Sequence, residues 1–234
     1  MLVLATDTSG QYGSVALVRC EAGTASPLEL VPLQGGTFSA QLIPQIAELL
    51  SKHNLGKTDI DAFAVATGPG SFTGLRVGLA AIKALAEILQ KPIAPVSLLE
   101  VIAFEAGKDE RGSAILAAMD AGRNQAFVGE YKVGPELPSE ISESLLSLQE
   151  LAEEMSHSPT PIYTPDDNIA QALSFRDGDS GSPNVRLLRR PNAVSIAHLG
   201  WKKVQAGQTL SPEALDATYI RRADAEITKL NRLA

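Results

Sequence analysis

Residues 61–89 read DAFAVATGPGSFTGLRVGLAAIKALAEIL. The short apolar run up to Thr67 has the character of a buried strand, Gly68-Pro69-Gly70 punctuates it, and the stretch from Ser71 or Thr73 to Leu89 is helical in composition. Gly68 and Gly70 supply backbone angles closed to other residues. Ser71 and Thr73 offer hydroxyls to the first amides of the helix, and Gly74 lies in its first turn. A junction of this kind gathers free amides at the positive end of a helix dipole, which suits an anion. GPGSFTG nevertheless lacks the Gly-Lys-Ser/Thr ending of a phosphate loop and the spacing of GxGxxG, so it reads as a structural glycine-rich turn with no nucleotide assigned.

The helix that follows is apolar over most of its circumference, with Arg76, Lys83, Glu87 and Gln90 in one narrow polar stripe. A surface helix buries one face; this one needs cover on more than one side. Gly78, Ala80, Ala81 and Ala84 would admit a second helix at close range. Either all of the cover comes from the same chain, or part of it is another protein.

Towards the N-terminus, residues 2–5 and 14–18 predict two strands joined by the turn Asp7-Thr8-Ser9-Gly10, a hairpin with Asp7 at its tip. A third strand is expected over 28–33. After the Gly35-Gly36 break, Thr37 or Ser39 caps a helix running to about His53. Its expected buried face is Leu42, Ile43, Ile46, Leu49 and Leu50, and Pro44 is tolerable because it lies near the first turn. On the other side of the central unit come a strand over 92–96, a helix over 98–106 and a charged, glycine-bounded junction over 107–112.

Residues 115–133 repeat the opening of the chain. At one common offset Asp7 meets Asp120 and Val15 meets Val128, which points to a duplication. The expected organisation is two α/β halves, 1–107 and a smaller 108–234 whose last helix packs back on the first. Within the second half the pattern predicts a helix over 145–155, a strand over 161–164, a mobile loop over 176–184 and a strand over 185–188. A helix over 193–205 buries Ile196, Ala197, Leu199, Trp201 and Val204, and a last helix starts at about Asp224.

With 234 residues and 44% hydrophobic content, the chain can build one large or two small domains. A lone Cys20, no basic-then-apolar leader and no membrane-length apolar run lead to the expectation of a soluble cytoplasmic protein. Lys and Arg number 20 against 27 Asp and Glu, a formal charge of -7, so any link to RNA is expected to run through a partner. His53, His157 and His198 fall in no metal-binding spacing, Cys20 has no evident nucleophilic partner, and no serine stands in a GxSxG elbow. Asp7 and Asp120 are the carboxylates whose placement looks architectural. Facing each other across a cleft they would hold magnesium against nucleotide phosphates; the preferred alternative is that each bonds the backbone of its own turn.

The run TGPGSFTGLRVGLAAIKALAEILQKPIAPVSLLEVIA resembles the signature of the bacterial TsaB (YeaZ) family of threonylcarbamoyladenosine biosynthesis proteins. The resemblance extends to LATDTSGQYGSVAL, MDAGRNQAFVGEY and TYIRRADAE. It implies two related halves of the actin-like, sugar-kinase-like (ASKHA) class, each opening on a strand-turn-strand unit. It also implies a non-catalytic scaffold in tRNA modification that works with TsaD, TsaE and a donor made by TsaC, touching tRNA only through the complex and no membrane. No cofactor is expected on the chain alone, with ATP or ADP and magnesium admitted in the complex.

Family members pair with TsaD, or with themselves as homodimers, through the two helices of the first half. Here the implied interface residues are Leu42, Ile46, Leu49, Arg76, Leu79, Ala80 and Lys83. Two departures stand out: Phe38-Ser39-Ala40 where the family often reads His-Ser-Glu, and Ala217 where it often has proline. The rival readings are an ATP-dependent small-molecule kinase of the same fold and a metallopeptidase-like protein.

Overall fold

The computed structural model describes residues 1–107, 110, 112–174 and 184–220. Residues 176–183 of the loop expected over 176–184, and the helix from Asp224, lie outside these residues. Two copies of one element order follow each other. The first is β1 (Leu2–Asp7), β2 (Tyr12–Glu21), β3 (Thr24–Gln34), α1 (Phe38–Lys52), β4 (Ala62–Gly68), α2 (Phe72–Leu89), β5 (Ile93–Ser97) and α3 (Leu98–Ala106). The second is β6 (Ala114–Gly122), β7 (Gln125–Lys132), β8 (Ser139–Ser147), α4 (Leu148–His157), β9 (Ile162–Thr164), α5 (Asp167–Ser174), β10 (Val185–Leu187) and α6 (Ala193–Gln205). The sheets have matching orders, β3-β2-β1-β4-β5 and β8-β7-β6-β9-β10. In each, an antiparallel three-strand meander is extended by two parallel strands. The duplication expected from two hairpins therefore extends from β1 to α6, and with it the two-halved actin-like, sugar-kinase-like fold.

Both central strands of the first sheet are buried throughout, as the apolar runs LVLATD and AFAVATG require when a sheet is covered on both faces. On its outer face Leu4, Leu17, Phe63 and Val65 meet Leu42, Ile46 and Leu49 of α1 and Leu75, Leu79 and Ile82 of α2. The centre of the inner face is small, with Ala5, Ala16, Ala64 and Ala94 side by side and Val3, Val18 and Val96 around them. That face is covered by α6, which belongs to the second half. Reciprocally, α3 of the first half lies against β6, β7 and β9 of the second. One cluster of buried side chains thus runs between the sheets, and α4 and α5 close the far side over Ala118, Val128 and Ile162.

The exchange of terminal helices qualifies the expected boundary at 107, because each half supplies the inner cover of the other. Polar ties cross the same seam. Lys203 of α6 pairs with Glu100 of α3 at 2.7 Å, both side chains nearly buried, and Ser97 at the start of α3 donates to Glu143 of β8 at 2.7 Å.

β8, α4 and α1 differ from expectation, and the first of them is a strand that the sequence pattern does not predict. Residues 145–147 belong to β8, an edge strand paired with β7 from Ser139 opposite Lys132 to Ser147 opposite Gln125, and α4 begins only afterwards. Its start is a reciprocal capping box in which Ser147 accepts from Glu150 N and Glu150 accepts from Ser147 N. The buried face of α1 is Phe38, Leu42, Ile46, Leu49 and Leu50; Ile43, expected inside, is 48% exposed, because the Leu42, Ile46, Leu49 row takes the sheet and position 43 is turned about 100° away from it.

The α6 helix approaches the alanine face so closely that a Cβ on Gly200 would stand 2.4 Å from Ala64 Cβ. On the outer face a Cβ on Gly74 would stand 2.1 Å from the Thr8 carbonyl oxygen. Gly74→Ala and Gly200→Ala are each expected to destabilise the chain by about 1–3 kcal/mol through overpacking. Gly10→Ala, whose Cβ meets nothing nearer than 3.4 Å, should stay within about 0.5 kcal/mol. Thermal unfolding of the three variants checks the ordering.

Candidate functional site

The glycine-rich turn welds the start of α2 to the tip of the first hairpin. Ser71, its N-cap, accepts from Gly74 N at 3.3 Å and donates its own amide to the Ser9 carbonyl at 2.6 Å. Gly68 takes φ +142° with Thr218 O 2.6 Å from where its Cβ would stand, and a Cβ on Gly70 would come within 2.4 Å of Ser9 O. A side chain has no room at either position, so the glycines serve backbone-to-backbone approach. The hydroxyl of Thr73 is exposed and makes no cap.

Cover for α2 comes from three directions within the chain. The sheet takes Leu75 and Ile82, α1 lies alongside, and residues 210–219 run along a third flank. Leu210 N donates to Ile93 O at 2.8 Å, Leu215 is fully buried in the same cluster, and Thr218 N donates to Thr67 O at 2.8 Å. Tyr219 stacks on Phe72, ring centroids 4.8 Å apart. Even so, Thr73, Arg76, Ala80, Ala84, Glu87 and Ile88 remain exposed on α2, next to Ser39, Ala40, Ile43, Pro44 and Ala47 on α1. Ile88 is 71% exposed.

Of the residues expected at a partner interface, Arg76 and Ala80 lie on this open face and Lys83 is half-buried at its border. Leu42, Ile46, Leu49 and Leu79 do not: each is at most 4% exposed and belongs to the core under the two helices. Helical periodicity identified the apolar rows of α1 and α2 without telling inward from outward. Ile43 and Ile88, absent from the expected set, are the large apolar side chains that the open face exposes, and their apolar character one step off the buried rows was the available signal.

The two aspartates are not equivalent. Val3 and Ala5 belong to the cluster between the sheets, which sets Asp7 on the inner face by strand alternation. In β6 the inner residues are Ile115, Ala117 and Met119, so Asp120 alternates to the outer face, where it is exposed. Met119 opposite Phe127 holds the place of Asp7 opposite Ser14. The match of Val15 with Val128 holds for β2 and β7, both facing outward. The first strands are thus shifted by one residue relative to the sequence offset, and one residue exchanges faces.

Each carboxylate is used by its own turn. Asp7 Oδ1 accepts from Ser9 N at 2.9 Å and Ser9 Oγ at 2.6 Å, and Asp120 Oδ1 accepts from Gly122 N at 2.9 Å. Burial raises the Asp7 carboxyl above its usual range, against the lowering effects of Ser9 and of the Arg190 guanidinium. Arg190 itself is paired with Asp166, whose other oxygen accepts from Asp120 N at 2.8 Å. With one aspartate turned to the opposite face and a guanidinium as the charge acting on the other, this donor set does not fit a magnesium–phosphate site. Among the described residues no group of three or more His, Cys, Asp or Glu side chains is placed to hold a metal ion. His53 pairs with Glu29 at 2.9 Å, His198 packs edge-on against Phe104, and burial pushes the Cys20 thiol up to about 11. No described helix is long and apolar enough to cross a membrane.

Comparison with known proteins matches this architecture. The family model described as TsaD, tRNA N6-adenosine threonylcarbamoyltransferase, matches residues 34–175. The tRNA threonylcarbamoyladenosine biosynthesis protein TsaB of Bacillus subtilis is 29% identical over 97% of this chain and 96% of its own length. TsaB of Haemophilus influenzae is 28% identical over 94% of each. In structure, YeaZ from Pseudomonas aeruginosa superposes with a TM-score of 0.72 at 23% identity, over 93% of this chain and 99% of its own, which bears on the fold. A duplicated fold, a glycine-welded α2 and full-length similarity to both TsaB proteins place this chain in the TsaB (YeaZ) family of tRNA threonylcarbamoyladenosine biosynthesis proteins, within the wider family of the threonylcarbamoyltransferases.

Proposed function

We propose that the chain is a non-catalytic scaffold of the tRNA threonylcarbamoyladenosine machinery, docking on the TsaD transferase through the open face of α1 and α2. The observation that carries this reading is a patch of small and aliphatic side chains, Ala40, Ile43, Ala47, Ala80, Ala84 and Ile88, exposed on a helix pair whose own core is already complete beneath it. Alanines let a second backbone come close, and burial of what the two isoleucines still expose would contribute about 1–2 kcal/mol for Ile88 and about 0.7–1.5 kcal/mol for Ile43. A second copy of this chain competes for the same face as a homodimer. TsaE and tRNA join through the assembled complex, and ATP or ADP with magnesium belongs to that complex, since Asp7 and Asp120 bond their own turns.

The face is tested by Ala80→Arg and Ile43→Asp. Both positions are exposed, so stability should change by no more than about 0.5 kcal/mol, while affinity for the transferase of the same organism falls by about a hundredfold or more. Co-elution of the variants with that transferase, unchanged from wild type in size-exclusion chromatography, would sink the reading. Ile46→Asp is unsuitable, because Ile46 is core.

The structural role of Asp7 yields a separate expectation. A carboxyl whose folded pKa lies above its unfolded value binds protons more readily when folded, so its contribution to stability falls as pH rises through the folded pKa. Asp7→Asn keeps the oxygen that accepts from Ser9 and removes the buried charge. The variant should melt at or above the wild-type temperature at pH 7, with the gap closing in acid, and should still support modification of tRNA. Lower stability at neutral pH would overturn this and make the charge itself stabilising, and lost modification with the fold intact would make the carboxylate functional.

A further inference from the structure

Arg76 is held in an unusual way for an exposed side chain. Its guanidinium carbon lies 3.7 Å from the centroid of Phe72, one turn earlier on α2, and its Nε donates to Tyr219 Oη at 3.2 Å. Tyr219 in turn stacks on Phe72. The tyrosine reaches this position because residues 210–219 are tied to the first half by Leu210 at Ile93 of β5, by buried Leu215 and by Thr218 at Thr67 of β4. Arg76 makes no other hydrogen bond or ion pair among the described residues, so neither Nη group has a partner among them at the edge of the alanine face.

We infer that Phe72, Tyr219 and Arg76 form a preorganised carboxylate receptor within the docking face, and that the protein partner places an aspartate or glutamate on the Arg76 guanidinium. The inference rests on the docking reading above and adds the residue class on the other side. An arginine frozen in advance on an aromatic face loses little side-chain entropy when it binds, and its planar fork matches a carboxylate with two parallel hydrogen bonds. Covering the neighbouring alanines would exclude water from the pair and strengthen it. A phosphate of RNA is the less suitable occupant. The chain carries a net charge of -7, and the open surfaces of the same helices carry Glu48 and Glu87, which repel a polyanion but not a single carboxylate set among apolar side chains.

Tyr219 comes from the second half, so it is a positioning residue: it fixes Arg76 and ties the geometry of the face to the chain beyond α6. Residue Tyr219 is 38% exposed and forms the rim of the receptor.

Binding of the full-length chain to the transferase of the same organism, measured by calorimetry over a range of salt, tests the inference. Arg76→Glu should weaken binding about thirtyfold or more, and Arg76→Lys, which keeps the charge and loses the fork, about tenfold. Tyr219→Phe keeps the stack and frees Nε, with an expected loss of about threefold; Tyr219→Ala should lose about tenfold. The fall of affinity with salt should be lost or reversed in Arg76→Glu, where salt screens a repulsion, and persist in Arg76→Lys, while melting temperatures of both stay near wild type. Unaltered affinity in Arg76→Glu overturns the receptor while leaving the docking face standing; no complex for the wild-type chain overturns the docking reading and the receptor with it. Binding of a synthetic anticodon stem-loop RNA by the wild-type chain alone, abolished in Arg76→Glu, would reassign the guanidinium to phosphate and overturn the inference.

Discussion

The close approach of α6 to the first sheet governs the rest of the molecule. Ala5, Ala16, Ala64 and Ala94 leave a shallow inner face, and Gly200 lets the helix backbone settle against it with no side chain between. A helix from the second half is thereby the inner layer of the first, as α3 is for the second. Apolar faces cannot be left to water, so neither sheet is complete without the other half. The lysine–glutamate pair between α6 and α3 and the bond from Ser97 to Glu143 span the same seam, where the unpaired groups would be costly to bury.

With the inner layer shared, the outer layers are free to differ. On the second half α4 and α5 are short, at 10 and 8 residues, and amphipathic. On the first half α2 has 18 residues, apolar nearly all round. Its excess is absorbed by the sheet, by α1 and by residues 210–219, and the apolar remainder is Ala80, Ala84 and Ile88, beside Ala40, Ile43 and Ala47 of α1. The surplus is smaller than the sequence suggests, since Leu79 and the Leu42, Ile46, Leu49 row are consumed internally. It is also more localised, which is what a docking face requires: a small central apolar patch with charged groups at its edge.

Asp7 and Asp120 show how a repeat read from sequence can mislead about chemistry. Fold duplication is real across all eight pairs of elements, yet the aspartates are its least faithful part. In a strand a shift of one residue reverses the face, so two identical letters at equal offsets point to opposite layers. Their shared use is a turn contact to the residue two positions on, which any hairpin tip can make.

Local chemistry in the sequence determined most elements and their order. Apolar runs gave the buried strands, Gly68-Pro69-Gly70 with Ser71 gave the strand-to-helix junction, and period-3.6 rows gave α1, α2, α3 and α6. The start of α4 is set by the capping box at Ser147 and Glu150, which the apolar pattern from residue 145 overran. Those features depend on a few neighbouring residues and on backbone sterics. Only the tertiary structure decided which apolar row of each helix faces inward, that α3 and α6 cover one another's sheets, that Tyr219 reaches Phe72 and Arg76, and which face each aspartate takes. All four depend on contacts between segments distant along the chain, and the hydrophobic effect that drives them has no direction of its own.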